Sequence, residues 1–208
     1  MNKKKLELLL QQVREPLLPK LLLEQYTVPT NLAAEILNLA YLAGDVKGNI
    51  VFDLGCGSGR LAIGASLLGA KIVVGVDKDK ELIKLAKYNV KYLSSILRKK
   101  LRVALVCGDI KNFFGKCDTV IQNPPFGVKT RHADRLFLEK ALECGKKIYS
   151  LHRGGYKKTR EFLTRVINSY NGDIEKIISF KFSLPRIFKF HKKPRVTYEV
   201  DLYIIKIK

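Results

Sequence analysis

Asn123-Pro124-Pro125-Phe126 is the stretch of this chain best suited to chemistry on a flat nitrogen centre. The two prolines lack a backbone N–H and hold the chain extended, which leaves carbonyl oxygens and the Asn123 amide oxygen facing outward as acceptors. A planar NH2 group would find two acceptors there, and Phe126 offers a flat face on which a planar substrate could stack. The preceding run Asp118-Thr119-Val120-Ile121-Gln122 reads as a buried strand. The tetrapeptide then stands at a strand's C-terminal end, where open α/β sheets place their ligands. Taken alone, the four residues also fit a Pro-Pro turn with a core Phe.

A second constellation lies upstream. Asn49 to Leu54 is a short β-rich run, followed by Gly55-Cys56-Gly57-Ser58-Gly59 and the helical run Arg60 to Leu68. Strand, glycine loop and helix bring backbone close to a ligand and aim a helix N-terminus at it. The next strand, Lys71 to Val76, ends in Asp77, 22 residues after Gly55, where a carboxylate can accept from two ribose hydroxyls. The pattern Asp53-x-Gly55-x-Gly57-x-Gly59 fits S-adenosylmethionine better than NAD, whose third glycine would fall where this chain has Arg60. Strand three, Leu101 to Val106, leads to Asp109-Ile110. Asp109 there suits either acceptance from an adenine amino group, with Ile110 packing on the ring, or a simple turn.

Alternating β and α segments must position these residues. Residues 6–23 are leucine-rich and broken by Pro16 and Pro19, and read as a packing arm. A helix follows from about Asn31 to Leu42, with Thr30 or Asn31 as its cap. Asp79 to Leu93 is amphipathic, with Leu82, Ile83, Leu85, Ala86 and Val90 inward. Beyond Phe126 come a basic loop with Lys129, Arg131 and His132, a helix Ala133 to Leu142, a strand Lys147 to Leu151 and a helix from about Tyr156 to Ser169. Strands near Ile174 to Phe182 and from Val196 to Ile207 close the chain. Alternation ending in an adjacent strand pair predicts a doubly wound α/β sheet, parallel except for its final strand.

The 208 residues fit one domain, and 39 Lys and Arg against 19 Asp and Glu leave a net charge of +20. The basic residues run from Lys3 to Lys208, so the folded surface is positive and nucleic acid is the leading partner. His152 and Arg153, at the end of strand five, fall on the ligand edge with Lys129 and Arg131. Phe188-Lys189-Phe190-His191-Lys192-Lys193-Pro194-Arg195 interleaves rings that can stack on bases with cations that can meet phosphates. Lys3-Lys4-Lys5 precedes an apolar run, but Glu7, Gln11 and Gln12 interrupt it, which predicts a cytoplasmic protein without a membrane association. Cys56, Cys107, Cys117 and Cys144 lack C-x-x-C spacing and read as buried free thiols rather than metal ligands.

Asp53-Leu-Gly-Cys-Gly-Ser-Gly59 with Asn123-Pro-Pro-Phe126 resembles the class I amino-methyltransferases. Adding Leu23-Glu-Gln-Tyr26, Tyr149-Ser-Leu-His152, Phe188-Lys-Phe-His-Lys-Lys193 and Glu199-Val-Asp-Leu202, the chain is similar along nearly its whole length to the methyltransferase-like protein 5 family. The resemblance implies a Rossmann-like fold with a seven-stranded, mostly parallel, doubly wound sheet and an antiparallel last strand. Residues 1–30 would be a helical arm carrying a cofactor-side motif, and residues 31–208 the methyltransferase domain, the two forming one structural unit. The implied reaction is methylation of N6 of an adenosine in small-subunit ribosomal RNA, with S-adenosylmethionine as donor. Gln25 and Val28 would approach the cofactor. Asp53, Gly55, Gly57, Ser58, Gly59 and Arg60 would form its loop, Asp77 would hold ribose, and Asp109-Ile110 would hold adenine. Asn123 to Phe126 would be catalytic, with Asn123 also near the cofactor. Some relatives carry Thr where this chain has Val28, so a backbone contact is expected there. The eukaryotic member works with a small zinc-binding activator subunit, and a similar partner is an expectation here. Asn-Pro-Pro-aromatic also serves methylation of guanine N2 and of release-factor glutamine, and the basic charge favours RNA among these targets. A non-catalytic RNA-binding assembly factor that keeps the fold is the alternative from another class, which intact Asn123 and Asp77 disfavour.

Overall fold

The computed structural model describes residues 1–16, 28–125, 133–185 and 195–208. Strands β1 (Ile50–Leu54), β2 (Ile72–Asp77), β3 (Val103–Cys107), β4 (Cys117–Gln122), β5 (Gly145–Arg153), β6 (Gly172–Pro185) and β7 (Arg195–Ile207) form one seven-stranded sheet in the order β3-β2-β1-β4-β5-β7-β6. The first five strands are parallel to one another, and β7 runs antiparallel between β5 and β6. This is the doubly wound α/β sheet that the strand and helix alternation predicts. The helices are α1 (Lys3–Leu10), α2 (Thr30–Leu42), α3 (Arg60–Leu67), α4 (Lys80–Ile96), α5 (Ala133–Cys144) and α6 (Lys157–Ser169).

Two apolar clusters cover the two faces of the sheet. Leu6 and Leu10 of α1, Leu37 of α2, Ile63 of α3 and Leu93 of α4 belong to one, and Leu138 of α5 and Leu163 of α6 to the other. A strand covered on both faces needs an almost continuous apolar run, and Val51, Phe52 and Leu54 of β1 supply it. The helix α3 can approach α2 closely because Gly64 has no side chain. A Cβ there would lie 2.3 Å from Leu37 Cδ1. Asn2 caps α1 by accepting from the Lys5 N–H at 2.9 Å.

The winding determines where a ligand can sit. From β1 the chain steps outward through β2 to β3, then returns to place β4 on the other side of β1. The C-terminal ends of β1 and β4 therefore flank the crevice where the winding reverses. Pairing of Leu54 with Val76, Phe52 with Val120 and Gln122 with Ser150 brings four strand ends to one edge.

Two local expectations are corrected. The helix α2 is not capped by Thr30 or Asn31. Pro29 is the N-cap residue, and its carbonyl accepts from the Ala33 N–H at 2.8 Å. Cys107 is exposed, because β3 is an edge strand with Val106 also 41% exposed, whereas Cys56, Cys117 and Cys144 are buried. Among the described residues no helix is long and apolar enough to cross a membrane.

Candidate active site at the C-terminal edge of the sheet

The glycine loop leaves β1 through a set of backbone bonds. The N–H groups of Gly55 and Cys56 both donate to the Val76 carbonyl, at 2.8 and 3.0 Å, and Gly59 N–H donates to the Cys56 carbonyl at 2.8 Å. Gly57 adopts a φ of 53°, in the left-handed region, and a Cβ on it would meet nothing within 4 Å. The loop therefore presents bare backbone to open space. Its N–H is turned inward instead, donating to Asp77 Oδ2 at 2.9 Å, while Asp77 Oδ1 accepts from the Asp79 N–H at 2.9 Å. Partial burial raises the Asp77 pKa, and the two N–H donors oppose that shift. Asp77 organises the loop and still has lone pairs for further donors. Bare backbone beside an acidic strand end fits the nucleoside of S-adenosylmethionine.

Other residues expected around the cofactor are engaged in contacts within the protein. Asp53 is 2% exposed and accepts from the Ala62 N–H at 2.9 Å, tying β1 to the first turn of α3. Burial pushes its pKa up to about 7. Ser58 and Arg60 are buried and bond to Glu15, with Arg60 also donating to the Val28 carbonyl. Ile110 is 5% exposed in the core cluster with Leu54 and Leu138, so its side chain belongs mainly to the core. Asp109 is exposed and caps a short 3-10 turn, accepting from the Lys111 N–H at 2.9 Å. Gln25 and Phe126 lie outside the described residues.

Across the crevice β4 is followed by Asn123, which is half-buried, then Pro124 and Pro125. Gln122, directly before them, is locked from below: its Nε2 donates to Ser150 Oγ at 2.9 Å and to the Phe137 carbonyl at 3.3 Å. Ser150 Oγ in turn lies 2.8 Å from His152 Nε2, and the imidazole meets the Tyr203 ring edge-on at 5.5 Å. His152 was expected to face RNA, but it is only 2% exposed. It points to the sheet face that α5 and α6 cover, and only Arg153 reaches the surface. Beside it, buried Asp201 accepts a two-pronged pair from Arg160, at 2.8 and 2.9 Å, and a bond from Ser179 Oγ at 2.7 Å. This polar row beside the Asn-Pro-Pro stretch is not legible as a unit in the sequence. Its visible signs are the Tyr149-Ser-Leu-His152 and Glu199-Val-Asp-Leu202 segments.

Burial pushes the His152 pKa from 6.5 down to about 3, with Asp201 opposing the shift. The unfolded chain therefore binds a proton that the folded chain refuses, and the stabilisation present above pH 6.5 is lost as pH falls below it. In urea denaturation, the wild type is expected to lose about 2 kcal/mol more stability than His152→Gln between pH 7.5 and pH 5. Equal losses would show that His152 titrates normally in the folded protein.

Arg153 is exposed, stacks its guanidinium over Tyr156 at 4.7 Å and donates to the Tyr156 hydroxyl at 2.9 Å. Tyr156 is 50% exposed, and Lys157 and Lys158 beside it are exposed too. Sequence reasoning singled out only the arginine of this group. Lys129, Arg131, Lys189, His191, Lys192 and Lys193 lie outside the described residues.

A reversed-winding sheet, a glycine loop backed by Asp77, and Asn-Pro-Pro at the end of the strand next to that loop's own together define a Rossmann-like S-adenosylmethionine-dependent methyltransferase. Residues 29–123 match the family model described as Ribosomal protein L11 methyltransferase (PrmA). The chain is 36% identical to the rRNA N(6)-adenosine-methyltransferase METTL5 of Danio rerio, with 97% of each chain covered. It is 41% identical to the uncharacterized protein MJ0284 of Methanocaldococcus jannaschii, over 99% of this chain and 94% of that one. The crystal structure of PH1948 from Pyrococcus horikoshii superposes with a TM-score of 0.89 at 37% identity, covering 100% of this chain and 99% of the other. The chain belongs to the METTL5 family of rRNA N(6)-adenosine-methyltransferases.

Proposed function

We propose that this protein transfers a methyl group from S-adenosylmethionine to the N6 amine of an adenosine in small-subunit ribosomal RNA. The observation that carries the reading is that Asn123-Pro124 directly follows β4, across the winding reversal from the glycine loop that directly follows β1. The adenine amino group is a poor nucleophile because its lone pair is delocalised into the ring. Acceptance of its two hydrogens by the Asn123 side-chain oxygen and the Pro124 carbonyl favours a pyramidal nitrogen with its lone pair directed at the donor. When bound, S-adenosylmethionine supplies an already activated sulfonium methyl, so the chain's task is position and electrostatics. Asp77 accepts from the ribose hydroxyls, and Asp109 with the backbone at Ile110 holds the adenine of the cofactor. Gln25 and Val28 approach it from the arm, residues 1–30, which serves the domain formed by residues 31–208. Phe126 stacks on the target base once it leaves its helical neighbours.

Arg153, Tyr156, Lys157 and Lys158 supply RNA contacts among the described residues, and Lys129, Arg131, Lys189, His191, Lys192 and Lys193 are further RNA-binding residues of this reading. RNA affinity is expected to fall about a hundredfold between 50 and 200 mM salt, as for a handful of phosphate contacts on single-stranded RNA. Lys158→Ala should reduce the slope of log K against log salt by about 0.7. A flat salt response in filter binding would remove the phosphate-dominated interface.

The exposed edge of β3, with Val106 and Cys107 at the surface, is a strand edge open to a partner, and a small zinc-binding activator subunit is the partner we infer. We read the protein as cytoplasmic. The deciding experiment offers labelled S-adenosylmethionine with small ribosomal subunits, deproteinised ribosomal RNA and release factor in parallel, followed by digestion. N6-methyladenosine in the RNA supports the proposal. N2-methylguanosine, methylated glutamine or no transfer at all would each replace it.

A further inference from the structure

Arg60 directly follows the glycine loop, yet its guanidinium is committed to the N-terminal part of the chain. Nη1 donates to the Val28 carbonyl at 2.6 Å, and Nη2 pairs with Glu15 Oε1 at 2.6 Å. Glu15 and Val28 stand on either side of residues 17–27, so one cation holds both flanks of that segment. The attachment is reinforced from the loop and from α4. Ser58 Oγ donates to Glu15 Oε1 at 3.1 Å, and the fully buried Asn89 accepts from the Arg14 N–H at 3.1 Å. Asn89 also donates to the carbonyls of Arg14 and Ser58, at 3.0 and 2.9 Å, and the Arg14 guanidinium lies 4.7 Å from the centre of the Tyr88 ring. Loop residue 58, residue 60 at the start of α3 and residues 14 and 15 therefore form one hydrogen-bonded unit. A desolvated ion pair contributes little net stability but fixes one arrangement against others.

We infer that Glu15 and Arg60 form a joint coupling the N-terminal arm to the glycine loop, with Glu15 a positioning residue for cofactor affinity. The inference rests on the reading that the cofactor lies on this loop. Whatever fixes residues 57–60 then favours the docked arm, and by reciprocity the docked arm favours the cofactor. Glu15 sits at the partly exposed end of the pair, with 30% of its side chain accessible, and its truncation leaves the buried Arg60 guanidinium without its anion.

The test measures S-adenosylhomocysteine affinity by calorimetry for wild type, Glu15→Ala, Glu15→Gln and Asp77→Ala, with hydrogen exchange of residues 12–15 read in parallel. Glu15→Ala is expected to weaken the ligand about tenfold, a usual size for coupling between sites. It should also raise the KM for the donor while kcat at saturation stays within about twofold. The ligand should slow exchange at residues 12–15 in the wild type and not in Glu15→Ala. Glu15→Gln, which keeps an acceptor, should fall between the two. If Asp77→Ala weakens the ligand but Glu15→Ala binds it like wild type, the joint is overturned while the loop reading stands. If Asp77→Ala leaves affinity unchanged, the loop reading fails and the joint falls with it.

Discussion

Asn123→Ala is expected to lower kcat for methyl transfer about 10²- to 10³-fold, the usual consequence of removing one group aimed at a reacting centre. The affinity for S-adenosylhomocysteine should change by no more than a few fold. The asymmetry follows from the sheet. The glycine loop and Asp77 hang from β1 and β2, whereas Asn123 hangs from β4 on the other side of the crevice. On the proposed mechanism, truncation removes one of two acceptors for the amine and leaves the Pro124 carbonyl in place, so substrate should still bind with its nitrogen no longer held pyramidal. Asn123→Asp retains an oxygen acceptor and should recover part of the rate, which separates loss of the acceptor from collapse of the motif. Single-turnover rates with saturating donor are the relevant measurement. A rate within tenfold of wild type for Asn123→Ala would remove Asn123 from the chemistry.

What could be read in the sequence was local. The glycine loop, Asp77 and the Asn-Pro-Pro stretch are strand-end features, and the apolar runs before them reveal where those strands stop. What stayed hidden depends on partners distant in the chain. Leu151 and His152 of β5 are both buried, so alternation along that strand does not say that the imidazole lies under α5 and α6. Arg60 sits where a cofactor-loop residue is expected, and only the docked Glu15 and Val28 show that it serves the arm. Asn89 looks like an ordinary polar residue of α4, but it is fully buried because it closes three backbone hydrogen bonds. The Cys107 thiol is exposed because strand order, which no short motif encodes, makes β3 an edge.

Asp77→Ala is expected to weaken S-adenosylhomocysteine by about a hundredfold. Two hydrogen bonds from ribose hydroxyls to a carboxylate, at about 1.5 kcal/mol each, amount to roughly 3 kcal/mol. The same carboxylate holds the N–H groups of Gly57 and Asp79, so the apoprotein should also melt at a lower temperature. The two effects can be separated. Asp77→Asn keeps one acceptor oxygen for the backbone but turns an NH2 toward the second N–H, and it lacks the charge that strengthens the ribose bonds. It should therefore melt between wild type and Asp77→Ala, yet bind the ligand nearly as poorly as alanine does. If the affinity of both variants merely tracked their melting temperatures, Asp77 would be a loop organiser alone. If Asp77→Asn bound like wild type despite its lower melting temperature, the negative charge would have no part in holding the ribose. The predicted pattern, with stability graded and affinity lost in both, assigns this one carboxylate to two tasks: shaping the loop before the cofactor arrives and holding its ribose afterwards.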